Sequence, residues 1–230
     1  MKTHLLLIIA KTNLLVGNES SVGTGIIDKA VQRDVLTGLP CINSSSLKGA
    51  VNEFCTFKGM SSDDRLRVFG SDKAGVKPDS QKGSAVFYDA KLLYCPKQGD
   101  NTPYTLVTND DVVKDALDRA ALLNIDGVSE KVLEAKTACR YGVCKLQSFS
   151  DFKELTDNEH LPVIARNKLD HGTSKNLWYE QVVPAETVFC VMIQDIDDKL
   201  VDFIEENGGL VQIGANATIG YGVCKFVKVI

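Results

Sequence analysis

Leu5-Leu6-Leu7-Ile8-Ile9-Ala10 is the stretch that decides the fold. Six apolar residues closed by Lys11 are too few to span a bilayer, and short for the apolar part of a signal peptide. The run reads instead as a buried first strand, residues 3–10. Working outward, the chain supplies its neighbours. Residues 187–193 are nearly all apolar, as expected of a strand covered on both faces. Residues 210–213 and 223–230 read as strands around a glycine-bearing turn. Residues 85–94 read as a further strand, bounded by Pro96 and a polar loop through Pro103.

Helices fill the intervals. In residues 44–55, Leu47, Ala50, Val51 and Phe54 recur at helical spacing, with Asn43 and Ser44 as caps. Residues 109–123 follow with Val113, Ala116, Leu117 and Ala120 on one face. Asn109 is the cap, and Asp110 and Asp111 suit the positive helix end. Residues 197–207 form a short third helix, with Leu200, Phe203 and Ile204 inward and Gly208-Gly209 as its stop. Strand, helix, central strands, helix and closing strand predict an α+β class with a ferredoxin-like β-α-β-β-α-β core. Residues 129–178 do not fit that core and read as a polar, irregular insertion. No Gly/Ser-rich or Pro-rich linker divides the 230 residues, so a single domain is expected. The pentapeptide of residues 141–145 recurs at 221–225 with unlike flanks, which reads as coincidence.

Composition sets the class. With 44% hydrophobic and 24% charged residues, the chain is globular and not disordered, collagenous or coiled-coil. The seven cysteines are an odd number without a CxxC pair, and three histidines give no zinc-ligand spacing. Free thiols in a reducing cytoplasm follow. The net charge of −4 speaks against a nucleic-acid binder only if it is evenly spread. It is not: residues 1–60 sum to +2, residues 110–134 to −4 and residues 195–206 to −5.

Three segments carry candidate chemistry. Residues 38–49 deliver Ser44, Ser45 and Ser46, with Lys48, to a helix N-terminus whose free N–H groups suit a phosphate. A serine-rich helix cap is an equal reading of the same residues. Residues 208–222 hold Gly208, Gly209, Gly214, Gly220 and Gly222, with Tyr221 able to stack on a base. A plain glycine-rich hairpin is the simpler alternative. In residues 23–34, Asp28 stands near Lys29, Arg33 and Asp34, where a carboxylate could hold a divalent ion beside a phosphate. A solvated loop acid is the competing reading. Glu180 and Glu186, in the segment from Trp178, carry no spacing that demands a role.

Taken in order, these segments resemble a known family. The matching stretches are Gly25-Ile-Ile-Asp-Lys-Ala-Val-Gln-Arg-Asp34 and Thr37-Gly-Leu-Pro40, running into Ser45-Ser-Leu-Lys-Gly49. Then come Phe87-Tyr-Asp-Ala-Lys-Leu-Leu93, Trp178-Tyr-Glu-Gln-Val-Val-Pro-Ala-Glu-Thr-Val-Phe189 and the glycines of 214–222. The chain resembles the RAMP superfamily of CRISPR proteins, and within it the repeated backbone subunit of type III-B (Cmr) effector complexes. A type III-A relative is the near alternative.

The resemblance implies a modified ferredoxin-like (RRM-like) domain. Its core would span roughly 1–125 and 179–230, with an inserted thumb hairpin and helical insertion over roughly 126–178. It implies a cytoplasmic antiviral-defence subunit that stacks with copies of itself and other effector subunits along guide RNA, with no membrane partner. It further implies an endoribonuclease that cuts complementary target RNA with a divalent metal, Mg2+ or Mn2+. Asp28 then falls on the catalytic, metal-holding aspartate, with Glu180 a possible accessory. Arg33, Ser44, Ser45, Ser46 and Lys48, with Gly214, Gly220, Tyr221 and Gly222, fall on the RNA-binding loops. Arg166, Lys168, His171 and Lys175 fall on the thumb.

Two departures stand out: Asn43 replaces a glycine before the serines, and Leu15-Val16-Gly17 lacks a histidine. A left-handed Asn43 would preserve the turn. A non-catalytic RNA-binding scaffold and a metal-independent guide-processing endonuclease are the competing functions.

Overall fold

The computed structural model of the chain describes residues 1–17, 27–71 and 80–230. Residues 17–25, polar and glycine-bearing and so read from the sequence as a loop, fall almost wholly outside the described residues, as does the start of the Gly25 motif. In chain order the elements are β1 (Lys2–Ala10), β2 (Cys41–Ile42), α1 (Ser44–Phe57), α2 (Ser62–Phe69), β3 (Val86–Phe87), β4 (Ala90–Gln98), β5 (Tyr104–Asn109) and α3 (Asp110–Leu122). There follow α4 (Glu130–Thr137), β6 (Val143–Leu146), α5 (Phe149–Glu154), β7 (Val163–Asp170), β8 (Thr173–Gln181), β9 (Val188–Asp195), α6 (Lys199–Glu206), β10 (Leu210–Gln212) and β11 (Val223–Lys228).

The apolar run at the start is the middle of the sheet. The order is β10-β11-β1-β9-β4-β5-β6, with β2 on β4 and β3 on β9. β1 is antiparallel to both neighbours, and Ile8 lies opposite Phe226 on one side and Phe189 on the other. Leu5 through Ala10 are all buried, which requires cover on both faces. Helix α1 turns Leu47, Val51, Phe54 and Cys55 inward. α6 turns in Leu200, Val201 and Ile204, and its Phe203 meets Phe54 edge to face at 6.5 Å. Gly209 N–H donates back to Ile204 O at 2.8 Å, closing α6 where the glycine pair predicts.

Two expectations change. The strand placed at 85–94 is two strands, and β4 continues through Pro96, which sits opposite Leu106 in the β4–β5 ladder. A proline removes one N–H and does not by itself end a strand. Its partner β5 is six residues long and lies where the sequence suggests only a polar loop and the start of a helix. The segment expected to be irregular is instead ordered: it holds α4, β6, α5, β7 and most of β8. β6 joins the main sheet by pairing parallel to β5. Leu133 and Phe152 are fully buried and anchor α4 and α5. α4 buries only Leu133 and Thr137 and α5 only Phe152, which leaves no apolar stripe to read.

Candidate functional site

The residues after the first glycine loop are tied to the base of the β7–β8 hairpin. Asp28 N–H donates to Tyr179 O at 3.0 Å, and Gln181 N–H donates to Lys29 O at 2.8 Å. Tyr179 N–H returns a bond to Asp28 Oδ2 at 2.7 Å. The Asp28 carboxylate is thereby oriented by backbone while its side chain stays at the surface.

Next to it, Glu180 is 1% exposed and gathers three donors. Lys29 Nζ and Trp178 Nε1 reach Oε1 at 2.8 and 2.9 Å, and Asn216 Nδ2 reaches Oε2 at 2.7 Å. Burial by itself would raise the Glu180 pKa. The bonds from Lys29, Trp178 and Asn216, with the Lys29 charge, outweigh burial and hold it below the usual carboxylate value. One buried carboxylate therefore joins the Asp28 segment, the hairpin base and the glycine-rich loop.

That loop packs on the residues after β1. Ala215 N–H donates to Leu15 O, and Gly222 N–H to Asn13 O, both at 2.8 Å. Gly214 and Gly222 have φ of 81° and 74°. A Cβ at Gly214 would stand 2.3 Å from Leu15 O, and one at Gly222 only 1.9 Å from Ile213 O. Both glycines are required by the chain's own packing. Gly220 has open space around it and needs glycine only for its φ of 83°. Tyr221 is half-buried, and its carbonyl accepts from Gln212 Nε2.

The serine segment opens α1, and Ser46 shares a groove with Gly214 and Ala217, so the serine segment and the glycine-rich loop meet. Asn43 has φ −63° and ψ 146°, extended and not left-handed, and its side chain makes no cap bond. The expected left-handed turn and Asn43 side-chain cap are both corrected here. Asp89 does the capping, accepting Ser44 N–H at 2.6 Å. Ser45 and Ser46 keep N–H groups without intrahelical partners at this end. Lys48 is half-buried one turn along.

Arg33 serves the scaffold: its Nη1 donates to Gly38 O at 2.9 Å and to Thr156 O at 2.7 Å, clamping the 34–38 turn to the segment after α5. On the hairpin, Arg166 pairs with Trp178 and Lys168 with Asn176. Arg166 and Lys168 therefore share a face. His171 and Gly172 form the tip, both with positive φ as a tight two-residue turn requires. Lys175 lies 3.9 Å from Asp170. Glu180 is among the residues the resemblance implies, as a possible accessory, whereas Asn216 is not; the signal for Glu180 was an acid inside an otherwise strand-like run, two residues before Val182-Val183.

With this geometry in hand, comparison with known proteins is specific. The model of the RAMP superfamily matches residues 7–225. The chain belongs to the RAMP superfamily. Within RAMP proteins it is similar to the CRISPR system Cmr endoribonuclease Cmr4 of Pyrococcus furiosus, 25% identical over all of this chain and 95% of that protein. A chain of the type III-B Cmr-beta complex bound to cognate target RNA superposes with a TM-score of 0.80 at 23% identity, covering 100% of this chain and 98% of the other. Oligomeric Cmr4 from Pyrococcus furiosus superposes at 0.71 with 19% identity, both chains being fully covered. This RAMP chain is thus Cmr4-like along its whole length, a mixed α+β fold with one main sheet.

Proposed function

We propose that the chain is a repeated backbone subunit of a type III-B CRISPR effector complex that binds guide RNA and cuts complementary target RNA. The observation that carries this reading is the Glu180 junction, which unites Asp28, the hairpin base and Asn216 of the glycine loop. Likeness to an endoribonuclease over the full chain supports it. We read the β11-β1-β9-β4 order, with α1 and α6, as the ferredoxin-like frame, and the β7–β8 hairpin as the thumb of a single domain.

The chemistry asked of the protein is positional. A splayed target nucleotide presents its 2′-hydroxyl in line with the adjacent phosphate. The 2′-oxygen attacks phosphorus and loses its proton to water, the P–O5′ bond breaks, and the leaving 5′-oxygen takes up a proton from water. The products are a 2′,3′-cyclic phosphate and a 5′-hydroxyl. Lys29 and Asn216 hold the Glu180 junction closed, and the Tyr179 amide aims Asp28 outward.

Asp28 is the residue that would hold a divalent ion. Glu180 is buried and engaged by three donors, and among the described residues no group of three or more His, Cys, Asp or Glu forms a metal cluster. One exposed carboxylate plus RNA oxygens suits Mg2+ or Mn2+, which keep much of their water and bind through few protein ligands. When bound, such an ion supplies charge stabilisation at the phosphate. Ser45, Ser46 and Lys48 serve the guide phosphates, with Gly220 and Tyr221 along the RNA. Sequence is read by base pairing to the guide.

The test is cleavage of guide-matched RNA by the assembled complex. Asp28→Ala should lower the rate at least about 100-fold, the scale of losing a main electrostatic group, while guide binding is retained. Normal cutting by the variant would leave the scaffold reading in its place.

A further inference from the structure

We propose that Tyr141 and Arg140 form a second stacking contact for the RNA strand that lies along the glycine-rich loop, the counterpart of Tyr221 across the sheet. The inference rests on the RNA-binding reading and adds a place where the same strand touches the protein again.

The pentapeptide Tyr-Gly-Val-Cys-Lys occurs at 141–145 and again at 221–225. Both copies take the same place in the fold. Gly142 and Gly222 have φ of 85° and 74°, and Val143 and Val223 begin β6 and β11. The two strands run the same way. β6 is parallel to β5, and the four steps from β5 through β4, β9 and β1 to β11 are all antiparallel.

The ladder also sets the copies at one level. Val143 lies opposite Leu106, and Leu106 opposite Pro96. Tyr94, two residues before Pro96, is level with Val188, Ile9 and Lys225. Val223 is two residues before Lys225 on a strand running opposite to β4, so it stands level with Pro96 and Val143. Residues two apart share a face, so Val143 and Val223 also look to one side of the sheet. The two tyrosines therefore stand at the same end of the sheet, five strand steps or about 24 Å apart. At 3.4 Å per stacked nucleotide that is about seven nucleotides, and fewer where the strand is stretched.

Tyr141 is held for contact. Its ring meets Tyr104 edge to face at 5.2 Å and 77°. The turn that carries it is tied down. Gly142 N–H donates to Cys139 O at 3.4 Å, and Leu106 N–H donates to Gly142 O at 3.2 Å. Ala138 caps α4 with a φ of 49°, a place usually given to glycine. Arg140 is exposed, with its guanidinium carbon 5.8 Å from the Tyr141 ring centroid. An aromatic ring for a base and a cation for the neighbouring phosphate are what single-strand recognition uses. Lys145 is taken by Asp110 and Glu130, whereas among the described residues no carboxylate pairs with Arg140. Cys139, Gly142 and Val143 line a hollow of about 380 Å³ beside this turn, whose two charges, Lys131 and Glu134, are of opposite sign. Between the two tyrosines, Glu186 is neutralised by Lys11, whose Nζ lies 3.1 Å from both carboxylate oxygens.

Binding of the full chain at low salt to oligouridines of increasing length, from about three to about twelve nucleotides, tests this. Wild-type affinity should step up once the oligomer spans both tyrosines. Tyr141→Ala and Arg140→Ala should each bind the longest oligomer about tenfold more weakly and lose that step, the scale of one stacked base. Tyr141→Phe should keep it, because the ring and not the hydroxyl does the stacking. Unchanged melting curves verify folding, and Tyr221→Ala is the reference for the first contact. A Tyr141→Ala chain that keeps the wild-type affinity and step overturns the second contact, and so does a Tyr141→Phe chain that loses as much as Tyr141→Ala. In either case a weakened Tyr221→Ala chain leaves the RNA-binding reading standing. A wild type that binds none of the oligomers removes both.

Discussion

Glu180 shows what one residue does here. Its carboxylate is buried, charged and triply bonded, so its worth depends on the whole set of donors. Glu180→Gln sets an amide N–H2 against Lys29, Trp178 and Asn216, at a cost of about 1–3 kcal/mol. The sign with pH follows from the lowered folded pKa. The stabilisation is fully present above the unfolded value of about 4.3 and is lost as pH falls through the folded one. Urea unfolding of both proteins should therefore show a constant gap at neutral pH that narrows in acid. The glycines divide similarly. Gly222→Ala forces a Cβ to within 1.9 Å of a backbone oxygen at positive φ and should cost at least about 3 kcal/mol. Gly220→Ala, with open space, should cost about 1–2 kcal/mol, and thermal melts separate the two. Sequence singled out Asp28 and these glycines because charge and Gly stand out in a loop. Asp89 and Asn216 stayed hidden because their partners are 45 and 36 residues away.

At the scale of elements, apolar continuity was the legible signal. β1 and β9 were readable because burial on both faces leaves an unbroken apolar run, and α1, α3 and α6 because each shows one apolar stripe. Among the named strands β7 and β8 pair only with each other, and both are exposed along most of their length, so they have no burial pattern to read. Asn109 was recognisable as a cap, and it also does more. Its Oδ1 accepts Asp111 N–H at 2.8 Å while its Nδ2 donates to Leu146 O at 3.3 Å, tying α3 to β6. Asn109→Ala should cost about 1–2 kcal/mol, the cap plus a buried bond. Denaturant midpoints would register this, and an unchanged midpoint would show that α3 is held by packing alone.

Over the whole molecule, the acidic total conceals an uneven surface. Acid collects in α3 and in the 195–206 segment that carries α6, whereas the serine segment and the residues around Asp28 are neutral to basic. A lone chain should therefore bind single-stranded RNA weakly, with a salt dependence equivalent to only about two or three phosphates. Titrations at two ionic strengths measure it, and a steep slope would mean a larger basic face than α1 and the glycine loop supply. Assembly along a guide would multiply these few contacts. The central claim concerns Asp28, and a structure of the assembled complex with a target carrying a 2′-deoxy nucleotide at the cut position tests it most directly. The Asp28 carboxylate should face the phosphate that follows the splayed nucleotide, with Glu180 still holding Lys29 and Asn216. A target phosphate lying elsewhere, with Asp28 turned to solvent, would contradict it.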